Sequence, residues 1–270
     1  MEKPVIETGD SAYTVLAAAV SAQGQPEFPA ALAQWLRTHI PYCFTVVFGY
    51  RGTARPLNLH DDFPPDRRDV YVRDYQEGPY LLDPFYHGAL RPVPDGLYRL
   101  RDLAPDRFYQ GEYFRSYYGR TALAEEIGFF TRINPETVVV MSLMRSLRSF
   151  NAREFRVLGD LAPVVHALQK RHWALAFENR EVSVEQPPQA PRSDPTMGDA
   201  LSQIAAGTLT TREREVVEFV LKGYSAEATG NTLGISLGTV RAHRRNIYRK
   251  MAISSQGELF SRFLDIVQTH

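Results

Sequence analysis

The chain has 270 residues, 44% of them apolar, which suits two compact cores and is too rich for a chain disordered throughout. Its 31 Lys/Arg balance 31 Asp/Glu, which excludes a coat that binds polyanions by bulk charge but leaves room for a local basic surface. The single cysteine, Cys43, excludes an internal disulfide framework and a zinc site built on several thiolates. The first ten residues carry acids and no apolar run, and no stretch approaches the roughly 18 apolar residues of a membrane span. A soluble, cytoplasmic protein with no membrane partner is expected.

Charge is distributed unevenly. Residues 209–270 hold nine Lys/Arg against six acids, a net of +3, and the remainder therefore carries −3. Within 237–251 the basic residues are Arg241, Arg244, Arg245, Arg249 and Lys250, with no acid among them. Four prolines fall within 181–195, where almost nothing bulky and apolar is available to bury. The expected division is a domain at 1–180, a proline-rich linker at 181–199 and a smaller domain at 200–270.

In chain order, helices are expected over 11–23 and 29–39, then strands over 43–48 and near 56–59. Helices follow over 66–76 and 81–90, a short strand over 97–100 and a helix over 104–118. The clearest hairpin pairs 124–133 with 137–143 across Asn134-Pro135-Glu136. A long helix from Asn151 to about Phe177 is opened by an Asn–x–x–Glu box. These elements predict an α+β fold. Its first part is an α/β/α sandwich with a five-stranded antiparallel sheet of PAS or GAF type, followed by an all-α four-helix unit.

In that unit, Thr210 and Glu213 form a capping box for a helix over 212–221 that stops at Gly223. A short helix over 226–233 and the turn Gly234-Ile235-Ser236 lead to a third helix over 237–250, for which Ser236 is the cap. Two helices joined by a three-residue turn containing glycine read as a helix-turn-helix. Val240, Ile247 and Met251 share one seam with His243 and Arg244 at its margins, while Thr239, Arg241, Ala242, Arg245 and Arg249 lie away from it. A helix seated by one face can offer cations to a major groove by the other. A fourth helix is expected over 256–267.

The run Leu209-Thr-Thr-Arg-Glu-Arg-Glu-Val, then Gly223-Tyr-Ser, then Ile235-Ser-x-x-Thr-Val-Arg-x-His243-x-x-Asn-Ile-x-x-Lys-Met251, resembles the DNA-binding domain of LuxR-type transcriptional regulators over about 60 residues. The resemblance implies phosphate contacts at Arg241, His243 and Lys250 and base-facing roles near Gly238, Ala242 and Arg245. It also implies double-stranded operator DNA as partner, RNA polymerase as a further one, and a dimer contact through the fourth helix. The scaffold helix departs from the pattern: Ala226-Glu-Ala-Thr-Gly230 stands where the family usually has Asn-Lys-Glu-Ile-Ala. Glycine inside that helix is expected to cost roughly 1 kcal/mol.

The larger domain lacks the alternation and acid placement of a phosphorylatable receiver. It holds 12 of the 14 tyrosines, six aromatic residues falling within 108–118. Tyr71-x-x-x-Tyr75, Asp83-Pro84 and Tyr98 resemble the acyl-homoserine-lactone receptor domain, with tyrosines where that family has tryptophans and one residue fewer between Tyr75 and Asp83. The resemblance implies a small-molecule effector held by Tyr71, Tyr75, Asp83, Tyr98, Tyr113 and Tyr117, with Asp83 as polar anchor in a cavity of about 300 Å³ or more. Asp83 can instead cap the helix that begins at Pro84, and the tyrosines can be ordinary core rings. Glu125 and Glu126 can pair with a cationic ligand but are expected on an exposed strand edge, and Cys43 is expected to be buried. Two apolar stripes, Phe155, Leu158 and Val165 and then Leu259 and Phe263, predict a homodimer.

No metal-ligand spacing, nucleophile elbow or phosphate-binding loop occurs, so neither catalysis nor a cofactor is expected. The expected function is a ligand-responsive, sequence-specific DNA-binding regulator. The competing reading is a DNA-binding protein whose larger domain only dimerises or docks a protein.

Overall fold

The computed structural model describes residues 11–183, 194, 196–205 and 207–269, the side chains of 178–183 excepted. Among them β1 (Phe44–Arg51), β2 (Leu57–Asp61), β3 (Gly96–Arg99), β4 (Glu125–Asn134) and β5 (Thr137–Arg145) form one antiparallel sheet in the order β2-β1-β5-β4-β3. The β4–β5 hairpin closes where expected, with the Glu136 N–H donating to Asn134 Oδ1 at 3.0 Å.

Every residue of β5 is buried, because successive side chains feed opposite faces and both faces are covered. Val139, Met141 and Leu143 join Val47, Ile127 and Phe129 in one core, while Val138, Val140 and Met144 join Val46, Phe48 and Phe130 in the other.

The first core is closed by α1 (Ala12–Ser21), α2 (Phe28–His39) and the long α8 (Ala152–Ser183). Trp35 and Trp173 pack there, as core rings. Asn151 and Glu154 cap α8 reciprocally, each backbone N–H meeting the other side chain at 2.9 Å. Arg145 grips the same carboxylate at 2.8 and 3.0 Å, tying the end of β5 to the start of α8.

The second core is closed by the chain between β2 and β4, which is a succession of short turns. They comprise α3 (Pro65–Arg68), a π-helical turn (Asp69–Arg73), α4 (Asp74–Gln76), a 3-10 turn (Pro79–Leu82), α5 (Pro84–Leu90), α6 (Leu100–Leu103) and α7 (Glu112–Ser116). The single helix expected over 104–118 is absent. Gly111 is extended there (φ −76°, ψ 161°), so a 3-10 turn at Phe108–Gln110 and α7 meet at an angle. Pro105 and Gly111 break the pattern, and packing of six aromatic rings replaces helical continuity.

The C-terminal part contains α9 (Met197–Ala205), α10 (Thr211–Lys222), α11 (Ala226–Leu233), α12 (Leu237–Met251) and α13 (Gln256–Gln268). Helix α9 begins inside the expected linker and packs on α13 and α10, burying Leu201 and Ile204. Residues 184–193 and 195 of that linker lie outside the described residues.

The two parts touch through the aromatic segment. The Arg107 N–H donates to Gly223 O at 3.0 Å, and the Ser225 N–H donates to Asp106 Oδ1 at 2.9 Å. Gly223 sits at φ +89° as the cap of α10, and a Cβ there would lie 3.0 Å from Phe108 Cα. Glycine therefore serves both the left-handed cap and the close approach.

Gly230 answers the departure in the scaffold helix. A Cβ built there would stand 2.7 Å from the carbonyl oxygen of Ile235, in the turn that leads to α12. The missing side chain lets the turn fold back onto α11. Gly230→Ala is expected to destabilise the protein by about 1–3 kcal/mol, although alanine gains about 1 kcal/mol in helix propensity. Urea unfolding of the two proteins measures the difference; a more stable alanine variant would contradict the close approach.

Candidate functional site

Helix α12 is positioned by its cap and its seam. Ser236 Oγ accepts the Thr239 N–H at 3.1 Å, and Val240, Ile247 and Met251 are buried against α10 and α11. That seating leaves Gly238, Thr239, Arg241, Arg245 and Arg249 exposed, with Ala242 and His243 half-buried at the margin. Arg241, Arg245 and Arg249 follow one another at four-residue steps, so they form a single cationic stripe along the exposed face. Lys250 differs from expectation. Its ammonium meets Glu213 Oε2 at 2.7 Å, and Glu213 is also the capping-box acid of α10. The lysine therefore braces α12 against α10, with a third of its side chain still exposed.

In the larger domain, Tyr71, Tyr75, Asp83, Tyr113 and Tyr117 line one cavity on the second face of the sheet, together with Tyr50, Tyr118, Glu126 and Ser142. Tyr98 is not there. Its hydroxyl donates to Pro94 O at 2.9 Å and its ring packs on Phe130, because β3 is the edge strand farthest from β1. The cavity measures about 40 Å³, far below the volume expected. Asp83 Oδ1 accepts the Phe85 N–H at 2.9 Å as cap of α5, and Oδ2 accepts the Tyr75 hydroxyl at 2.6 Å. Tyr50 completes the relay at 3.0 Å from Tyr75. The capping role is thus real, and the same carboxylate also borders the cavity.

Glu125, Glu126 and Cys43 also depart from expectation. Glu125 is buried and ion-paired with Arg99, not exposed at an edge. Glu126, one position on, shares the parity of Phe130 and faces the cavity, with Tyr118 Oη at 3.3 Å from its Oε2. Strand parity counted back from Phe130 is the signal that assigns it. Cys43 is exposed at the mouth of β1 instead of buried.

The proposed dimer stripes are covered within the chain. Leu158 and Val165 are buried on the sheet with Phe155 packed beside them, and Leu259 and Phe263 are buried among α9 and α10. These five residues satisfy one subunit's cores, so the surplus apolar surface inferred from them is absent. Among the described residues no group of three or more His, Cys, Asp or Glu is placed to hold a metal ion, and no helix is long and apolar enough to cross a membrane.

The model of the luxR family of bacterial regulatory proteins matches residues 207–263, the helices just described. An HTH-type transcriptional regulator in the exeN 3′ region of Aeromonas salmonicida is 31% identical over 185 residues, spanning 68% of this chain and 93% of that protein. The chain belongs to the luxR family of bacterial regulatory proteins. The response regulator TodT of Pseudomonas putida is 48% identical over 52 residues, but these are only 19% of this chain and 23% of TodT. The crystal structure of the VqsR LBD domain from Pseudomonas aeruginosa superposes with a TM-score of 0.54 at 26% identity, covering 62% of this chain and 99% of that domain. Family membership accounts for the helix-turn-helix and its cationic stripe, an architecture consistent with DNA-binding regulation.

The cavity acids give the family member a pH signature. Burial, then the nearby Asp83 carboxylate, pushes Glu126 up from 4.5 to about 8, and burial pushes Asp83 up from 3.8 to about 6. A carboxyl group that holds its proton more tightly when folded stabilises the fold at low pH and loses that contribution as pH rises through the folded value. Stability is therefore expected to fall between about pH 4.5 and pH 8 and then level off. Glu126→Gln should weaken this dependence and unfold at a higher temperature than wild type at pH 9. Thermal melts across pH 5–9 check this, and parallel pH profiles for the two proteins would contradict it.

Proposed function

We propose that this chain is a ligand-responsive transcriptional regulator that binds duplex DNA sequence-specifically through α12. The observation that carries the reading is the acid-free stripe Arg241–Arg245–Arg249 on a helix whose opposite face is locked into the domain. In this reading Ser236, Thr239, Arg241, His243 and Arg249 meet the backbone, while Gly238, Ala242 and Arg245 approach base edges. RNA polymerase is a further proposed partner.

Control by a small molecule is supported by continuity of the chain. Residues 106–118 supply Tyr113, Tyr117 and Tyr118 to the cavity and, a few residues earlier, Asp106 and Arg107 to the helix-turn-helix. An occupant that shifts those rings would move the contacts at Gly223 and Ser225. The small cavity and the internally satisfied Asp83 favour a second reading, in which the larger domain only dimerises or docks a protein. Homodimerisation belongs to both readings, through surfaces other than the five residues covered within the chain. Val164 and Leu175 on α8 remain exposed at 39% and 41%.

Fluorescence anisotropy on operator and scrambled duplexes tests the DNA reading. Arg241→Ala should weaken both and lower the salt dependence, whereas Arg245→Ala should cost about 1–3 kcal/mol on the operator alone. Equal wild-type affinity for every duplex at matched salt would refute specific recognition. Sedimentation with and without DNA reports the dimer; a 30.6 kDa species alone at tens of micromolar would remove it. A metabolite panel that never changes the melting temperature would favour the docking reading.

A further inference from the structure

The cavity has a charge imbalance that the rest of the domain does not correct. Its lining includes two acids, Asp83 and Glu126, and no Lys, Arg or His. Buried Glu125 has Arg99, and the half-buried Glu154 has Arg145 and Arg148. Asp83 receives a backbone N–H and the Tyr75 hydroxyl, but Glu126 receives hydroxyls only, from Tyr118 and Ser142.

A second observation is independent of the acids. Tyr113 is 3% exposed and lines the same space, yet its hydroxyl bonds to no other described group. Its hydroxyl oxygen, which can accept as well as donate, therefore borders the cavity space. Two carboxylates and a free hydroxyl facing one space lack the same thing, a charged donor. An ammonium group carries three N–H donors and one positive charge, and the surrounding tyrosine faces add cation–π attraction. A neutral amide would bring no charge and so could not draw Glu126 into its ionised form. The volume of about 40 Å³ exceeds the roughly 10–15 Å³ that one water needs on the same measure, so it admits a head group of that size.

We propose that the cavity binds the cationic head group of a primary amine, held between Asp83 and Glu126 with Tyr113 Oη as third acceptor. This inference rests on the ligand-responsive reading and names the class of its effector. The cavity has room for the head group alone, so the remainder of the amine has to displace rings of the 108–118 segment, which carries Tyr113 and leads to the helix-turn-helix contacts. Because the amine needs ionised Glu126, whose carboxyl is pushed up to about 8 in the empty cavity, affinity should rise about tenfold per pH unit up to that point and then flatten.

The test uses the full chain and melting curves with ethylamine, 1,4-diaminobutane and tyramine. Each is compared with its hydroxyl counterpart, and an octanoyl-homoserine lactone serves as neutral probe. At least one amine should raise the melting temperature, its alcohol should not, and its affinity should improve about fivefold from pH 7 to pH 8. Glu126→Gln, an isostere of the protonated acid that preserves the fold, should weaken amine binding at least tenfold and flatten its pH dependence. Tyr113→Phe should weaken it several-fold. Amine binding unchanged in Glu126→Gln overturns the proposal. A response to the lactone with none to the amines also overturns it while leaving the ligand-responsive reading intact. Silence from every amine, with the wild-type chain folded, overturns the proposal and leaves the ligand-responsive reading to the metabolite panel.

Discussion

The constraint on which this structure depends is a sheet that is apolar on both faces. Strand β5 is buried along its whole length, so neither face can be left to water. One face is met by regular structure, α2 and α8, whose apolar stripes match it. The other is met by a chain of short turns that brings tyrosines and phenylalanines from many points of the sequence. Tyrosine covers area as phenylalanine does but carries a hydroxyl that must be satisfied when buried. The second core consequently contains a polar interior, in which Tyr50, Tyr75 and Asp83 form a relay and Glu126 is held beside Tyr118.

That polar interior and the helix-turn-helix are joined by one stretch of chain. Phe108 is 1% exposed and makes ring contacts with Tyr109, Tyr113, Phe114 and Tyr118, while its own backbone abuts Gly223. The segment is therefore wedged between the sheet and the C-terminal helices. A rigid helix over the same residues could not serve both surfaces, since Gly111 has to turn the chain between them. The loss of helical regularity at 104–118 is what lets the cavity and the DNA-binding unit share a boundary.

The helix-turn-helix shows how the same local chemistry serves two ends. Glu213 is a capping-box acid for α10 and the anchor of Lys250 on α12, so one carboxylate fixes the angle between the two helices. Gly230 removes a side chain where α11 and the turn meet. Both features fix where α12 sits, and the arginine stripe inherits its orientation from them.

Much was legible in the sequence because it is decided within a few residues. The caps at Ser236, Thr210 and Asn151, the β4–β5 hairpin, the buried seam Val240–Ile247–Met251 and the family motif all depend on local spacing. Strand parity would have placed Glu126 too. What local spacing could not decide was which surfaces meet. Leu259 and Phe263 looked like an interface because the helix α9 that helps cover them began inside an apparent linker. Tyr98 looked like a cavity ring until sheet order placed β3 at the edge. Lys250 looked free until α10 brought Glu213 across 37 residues. Sequence determined the elements and their faces, since those follow from backbone periodicity and capping. Only the tertiary structure decided the partners, because burial and ion pairing are set by residues distant along the chain.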